Sequence, residues 1–118
     1  MKKIDKKAQY EERMLGELNI LLRTSLSDTR LKLVSFTRIE LSNDFSQAKV
    51  YWDTYNAGKR GQIKDAVDAA SGKLRSLLAS SLSLKHTPAL VMHYDSQFES
   101  EREIEGLLDS ESKAGKKF

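Results

Sequence analysis

No cysteine occurs in this sequence, which removes disulfides, thiolate nucleophiles and cysteine-held zinc or iron–sulfur centres together. Proline appears once, as Pro88, and no apolar run approaches the roughly 18 residues that a membrane span requires. The lysines near the start are followed by Asp5 and Gln9 instead of the apolar core of a signal peptide. A reducing cytoplasm is the expected location, with no membrane partner. Catalytic signatures are also missing: there is no Gly-x-Ser-x-Gly elbow, no Walker phosphate loop and no pair of carboxylates in an apolar setting. The two histidines, His86 and His93, lie on either side of Pro88 with no third ligand at motif spacing, so they read as a loop and a strand residue. Neither a cofactor, a metal nor a catalytic residue is expected, and an enzyme is the least favoured class.

What is present fits one soluble domain. The chain has 118 residues, 39% of them apolar and 31% charged, enough for one core and a well-solvated surface. The net charge of +3 conceals an asymmetry: residues 1–94 hold 16 Lys and Arg against 10 Asp and Glu, whereas 95–111 hold one Arg against 7 acids and 112–118 add three Lys. A basic body attracts polyanions through phosphate contacts and counterion release, and this is a weak pointer towards RNA.

Periodicity supplies the elements. Leu15, Leu18, Leu22 and Leu26 recur at spacings of three and four within 8–26, an amphipathic helix. Leu31 to Leu41 carries the β-branched and aromatic mixture of a strand, with Ile39 and Leu41 on one side and Arg38 and Glu40 on the other. After the turn residues Ser42-Asn43-Asp44, the residues Ala48, Val50 and Trp52 alternate with Lys49, Tyr51 and Asp53, so the two strands should form an antiparallel hairpin. Ile63, Ala66, Val67, Ala70, Leu74, Leu77, Leu78 and Leu82 predict a helical stretch over 62–83, with Gly72 inside it. A mid-helix glycine costs about 1 kcal/mol relative to alanine, so a kink between two shorter helices is expected there. Pro88 ends the helical region, Leu90 to Tyr94 reads as a strand, and Asp95-Ser96 opens a short acidic helix carrying Ile104, Leu107 and Leu108. Residues 1–7 and 110–118 read as mobile tails around an ordered core of about 8–109. The order α-β-β-α-α-β-α implies an α+β domain, a small sheet covered on one face by helices.

Three groups of residues could meet a polyanion. Gly58-Lys59-Arg60-Gly61 is a Gly-x-x-Gly with two cations inside; it is either an ordinary turn or a phosphate contact at the start of the following helix. Arg38, Lys49 and Tyr51 share a strand face, either an RNA platform or a solvated surface. Lys73 and Arg75 follow Gly72, where surface and phosphate-binding readings balance. Trp52 sits in the apolar register and reads as core.

Taken together, three stretches resemble the ribosome-binding factor A family over about Leu15 to Leu108. Ile39 to Tyr51 matches the family's V-x-L-S-x-D-L-x-x-A-x-V-Y hairpin. Ala70 to Leu78 resembles its helix-kink-helix, in which an Ala-x-Gly step stands in place of the usual KH Gly-x-x-Gly loop. Leu84 to Asp95 is similar to its L-R-x-x-P-x-L-x-F-x-x-D, with Lys85 for Arg and Met92 for Phe; Thr29 stands where the family often has Pro.

The resemblance implies a type II KH-like fold and a non-catalytic role. That role is binding to the small (30S) ribosomal subunit and its precursor 16S rRNA, support of late rRNA processing, and importance for growth in the cold. The expected RNA-binding residues are Arg38, Lys49, Lys59, Arg60, Lys64, Lys73, Arg75 and Lys85, on a protein that is a monomer free in solution. Two other classes stand beside it: a generic KH-like single-stranded RNA module, which would prefer short oligonucleotides, and a protein-interaction domain docking through the acidic 95–111 segment.

Overall fold

The apolar stripes named above determine which side of the sheet is covered. The computed structural model of the chain describes residues 6–95. They form α1 (Lys6–Thr24), a 3-10 turn (Thr29–Leu33), β1 (Val34–Leu41), β2 (Gln47–Thr54), a second 3-10 turn (Ala57–Lys59), α2 (Arg60–Ser81) and β3 (Ala89–Tyr94). The sheet order is β1-β2-β3, with β2 antiparallel to β1 and parallel to β3. A parallel neighbour needs a long crossover, and α2 supplies it. This is the α+β, type II KH-like arrangement expected, with three strands and the helices on one face. The acidic helix and the tail at 110–118 lie outside the described residues.

Met14, Leu18, Leu21 and Leu22 of α1 and Ile63, Ala66, Val67, Leu74 and Leu78 of α2 are buried against Val34, Phe36, Ile39, Leu41, Ala48, Val50 and Trp52 of the sheet. Leu90, Met92 and Tyr94, paired in register with Ala48, Val50 and Trp52, pack on the same side. Burying each large side chain contributes roughly 1.5–3 kcal/mol.

Strict alternation would put Phe36 and Ile39 on opposite faces. A register shift between Phe36 and Arg38 inserts Thr37 as an extra residue, and the bulge returns both apolar pairs to the helical side. The Thr37 hydroxyl lies 2.7 Å from Oδ2 of Asp95, to which it donates, and 3.3 Å from the Tyr51 carbonyl. Asp95 is buried, and its own N–H donates to the Trp52 carbonyl at 2.7 Å. The bulge is thereby tied to the end of β3.

Side chains of α1 complete the edge strand. Asn19 Nδ2 donates to the Phe36 carbonyl (3.0 Å) and its Oδ1 accepts from the Phe36 N–H (2.9 Å), while Glu11 accepts from the Leu41 N–H (2.7 Å). Arg23 Nη2 donates to the Val34 carbonyl (2.7 Å) and Nη1 to the Lys32 carbonyl (3.2 Å). These contacts give the unpaired edge of β1 its partners.

Two expectations change. Helix α1 begins at Lys6, two residues ahead of the expected start, so Lys6 and Lys7 belong to its first turn. Helix α2 runs unbroken through Gly72 where two shorter helices were expected. A Cβ built at Gly72 meets nothing within 4 Å, and the 22-residue helix is held on both sides of it by buried Val67 and Leu74. Packing of the apolar stripe outweighs the local glycine cost. The helix ends in a Schellman turn: Ser83 takes φ 52, and Leu84 N–H returns to the Ala79 carbonyl at 3.0 Å.

Candidate nucleic-acid interface

All eight cations expected to meet RNA are exposed, and the structure distributes them over four places. On the open face of the sheet, Arg38 pairs with Glu40 at 2.8 Å and its guanidinium lies 3.9 Å over the Tyr51 ring. The Tyr51 ring in turn sits 5.6 Å from that of His93, and Arg38, Tyr51 and His93 form one cross-strand row. Lys49 stands opposite Glu40 in the next row. With Asp53 also on this face, cations and carboxylates balance.

The second place is the start of α2. Gly58 and Lys59 close the short turn and Arg60 and Gly61 open the helix, so the Gly-x-x-Gly is a strand-to-helix junction. No acidic residue occupies the first turn, and the Lys59 cap position makes no side-chain hydrogen bond. The positive end of the helix dipole thus coincides with Lys59, Arg60 and Lys64, a combination that favours anions. Arg60 lies 4.9 Å over the Tyr94 ring. Lys64 is bonded to Asp68 at 2.7 Å, and that hydrogen bond holds the ammonium pKa above its ordinary value.

Lys73 and Arg75 lie on different sides of α2. Two residues apart on a helix, they point about 200° apart around its axis. Lys73 lines a small cleft beside Leu26, Asp28 and Leu31, where Asp28 is already paired with Arg30 at 2.8 Å. Arg75 faces the 82–88 loop: its Nη2 donates to the Thr87 carbonyl (2.8 Å) and its Nε to the Pro88 carbonyl (3.2 Å). That places Arg75 beside Lys85 and His86 on the rim of two adjoining clefts of about 410 and 570 Å³.

The larger cleft includes residues that the sequence reading left aside. Tyr10 continues the Met14 and Leu18 stripe by one turn, a signal that was present in the spacing. Phe45, in the β1–β2 turn, stacks on it at 6.0 Å with 21° between the ring planes. Lys7, reassigned from the tail to the helix, reaches Asn43 in the same turn at 3.4 Å. Among the described residues no helix is long and apolar enough to cross a membrane.

The α-β-β-α-β order, with its parallel β2–β3 pair and one helix-covered face, defines a type II KH-like domain. Residues 6–108 match the profile of the family described as Ribosome-binding factor A. The Vesicomyosocius okutanii ribosome-binding factor A is 39% identical over 100 residues, covering 85% of this chain and 87% of that one. The crystal structure of ribosome-binding factor A from Thermus thermophilus superposes with a TM-score of 0.67 at 25% identity, over 75% of this chain and 93% of that one. A homology model of the Thermus thermophilus protein fitted into an electron-microscopy map of a 30S complex gives a TM-score of 0.61 at 24% identity, over 77% and 97%. The chain belongs to the ribosome-binding factor A family.

Proposed function

We propose that this chain binds the small ribosomal subunit through its precursor 16S rRNA and promotes late maturation of that RNA without a covalent step. Family membership across residues 6–108 is the observation that carries the reading. The fitting of a Thermus thermophilus relative into a 30S complex adds to it. So do the exposed cations at the start of α2 and around the 82–88 loop, which suit phosphates on more than one side of the domain. A domain whose edge strand, bulge and loop are each fixed by hydrogen bonds can hold RNA in one arrangement by contact alone. Its place would be the cytoplasm, as a monomer when free, and support of growth in the cold belongs to the same reading.

Sedimentation of the full chain with purified small subunits, large subunits and whole ribosomes at two salt concentrations tests this. Comigration with small subunits alone, weakened by salt, is the expected result. A folded chain that comigrates with none of them would overturn the proposal.

A further inference from the structure

The cleft between the β1–β2 turn, the first turns of α1 and the 82–88 loop combines features that neither the core nor the turn requires. Phe45 is 44% exposed and takes φ 59, a left-handed conformation that glycine and asparagine adopt far more readily. Hydration and backbone preference both disfavour a phenylalanine there. Its ring nevertheless lies nearly parallel to that of Tyr10, on one side of a groove of about 570 Å³, within the range of small-ligand sites. Arg75, Lys85, His86 and Pro88 are among the other residues that line it. The position of Arg75 is fixed by its bonds to the Thr87 and Pro88 carbonyls.

Charge selects the occupant. The lining carboxylate is Asp44, and it is committed to the turn: Oδ1 accepts from the Ser46 N–H at 3.0 Å, the Ser46 hydroxyl at 2.7 Å and the Ser42 hydroxyl at 2.8 Å. Nearby Glu11 is likewise engaged by the Leu41 N–H. Arg75 and Lys85 outnumber Asp44, the one carboxylate that lines the groove. The adjoining cleft of about 410 Å³ shares Arg75, Lys85, His86 and Thr87, so a chain of phosphates leaving the aromatic pair continues along the same cationic rim. An apolar peptide would leave the cations unused, whereas a nucleotide uses both the rings and the charges.

We propose that this groove seats one unstacked base of a single-stranded RNA segment against Phe45 and Tyr10, with its flanking phosphates facing Lys85 and Arg75. The inference rests on the RNA-binding reading above and adds to it the stacking residues and the single-stranded character of the ligand.

The test compares two fluorescein-labelled hexamers on the full chain, an adenosine hexamer and its abasic counterpart with every phosphate retained. The wild-type chain is expected to bind the adenosine hexamer about tenfold more tightly, in keeping with stacking of one base. Phe45→Asn suits the positive φ, keeps the turn, and should abolish that difference. Lys85→Ala should weaken both hexamers alike and reduce the salt slope by about 0.7, the value for one phosphate contact on a single strand. Equal affinity of the wild-type chain for the two hexamers, or a tenfold preference that survives Phe45→Asn in a folded variant, would overturn the proposal. Failure to bind either hexamer would overturn it as well. Sedimentation of the wild-type chain with small subunits separates the two readings: if comigration is lost the ribosomal reading falls, and the hexamer difference still decides the groove.

Discussion

The two faces of the three-stranded sheet are built by the same strands and obey different rules. On the covered face, Val34, Phe36, Ile39, Leu41, Ala48, Val50 and Trp52 form a continuous apolar layer beneath α1 and α2. On the open face, Arg38, Glu40 and Tyr51 satisfy one another through an ion pair, a cation–ring contact and a hydrogen bond of 3.3 Å from the Tyr51 hydroxyl to Glu40. Stability comes from the first face because apolar burial is worth far more than exposed pairing. The comparison also shows why exposed charge alone is a poor guide to the binding surface: the open sheet face is charged yet internally compensated. The groove beside Arg75 and Lys85 sets those two cations against one lining carboxylate, Asp44.

The sharpest test of the comparison is truncation of neighbours on opposite faces. Trp52→Ala should cost about 3–5 kcal/mol, against under about 1 kcal/mol for Tyr51→Ala, read from urea unfolding midpoints. Equal losses would break the distinction between the faces.

The edge of the covered face is held by polar groups, which predicts an intermediate effect. Asn19→Ala leaves both backbone groups of Phe36 without their side-chain partner and should destabilise by about 1–3 kcal/mol. Hydrogen exchange at the Phe36 amide should rise in the same variant.

On the outer side of α2, Gly72→Ala should stabilise by about 1 kcal/mol, since the added methyl meets nothing within 4 Å. Thermal unfolding measures the gain. Sedimentation with small subunits is expected to be unchanged.

Acid sharpens the comparison at the hairpin turn. Hydrogen bonds from Ser46 and Ser42 lower the Asp44 pKa from 3.8 to about 2. A depressed carboxylate contributes its stabilisation above the unfolded pKa and loses it as pH falls through the folded one. The Asp44 contribution is thus full above about pH 4 and lost towards pH 2. Asp44→Asn should flatten that part of the acid-unfolding curve.

The smallest effect belongs to the open face. A double-mutant cycle on Arg38 and Glu40 should yield a coupling of about 0.5 kcal/mol or less, and it should shrink with added salt.

Periodicity made most of this fold legible. The α1 stripe, the alternation in β2, the position of Trp52 and the placing of Arg38 and Glu40 opposite Ile39 and Leu41 could all be read directly. Each depends on one element's own repeat, and a repeat survives in one dimension. The Thr37 bulge was not legible, because it is visible only when the partner strand's register is known. Nor was the continuity of α2: glycine's local cost is a property of the residue, while the packing of Val67 and Leu74 that overrides it belongs to the assembled core.

The candidate site divides in the same way. The eight cations named from the sequence are all exposed, and the helix turns Lys73 and Arg75 to different sides of α2. Phe45, Tyr10 and His86 carried no motif that joined them, and they meet only where α1, the hairpin turn and the 82–88 loop converge. The sequence by itself determined the order of helices and strands among the described residues, the side of each that is buried and the family, since these rest on local spacing and on contiguous motifs. The tertiary structure alone decided which cations share a groove, which acids are already committed, and which exposed ring stands beside them. Those are relations between residues far apart in the chain, and no local pattern encodes them.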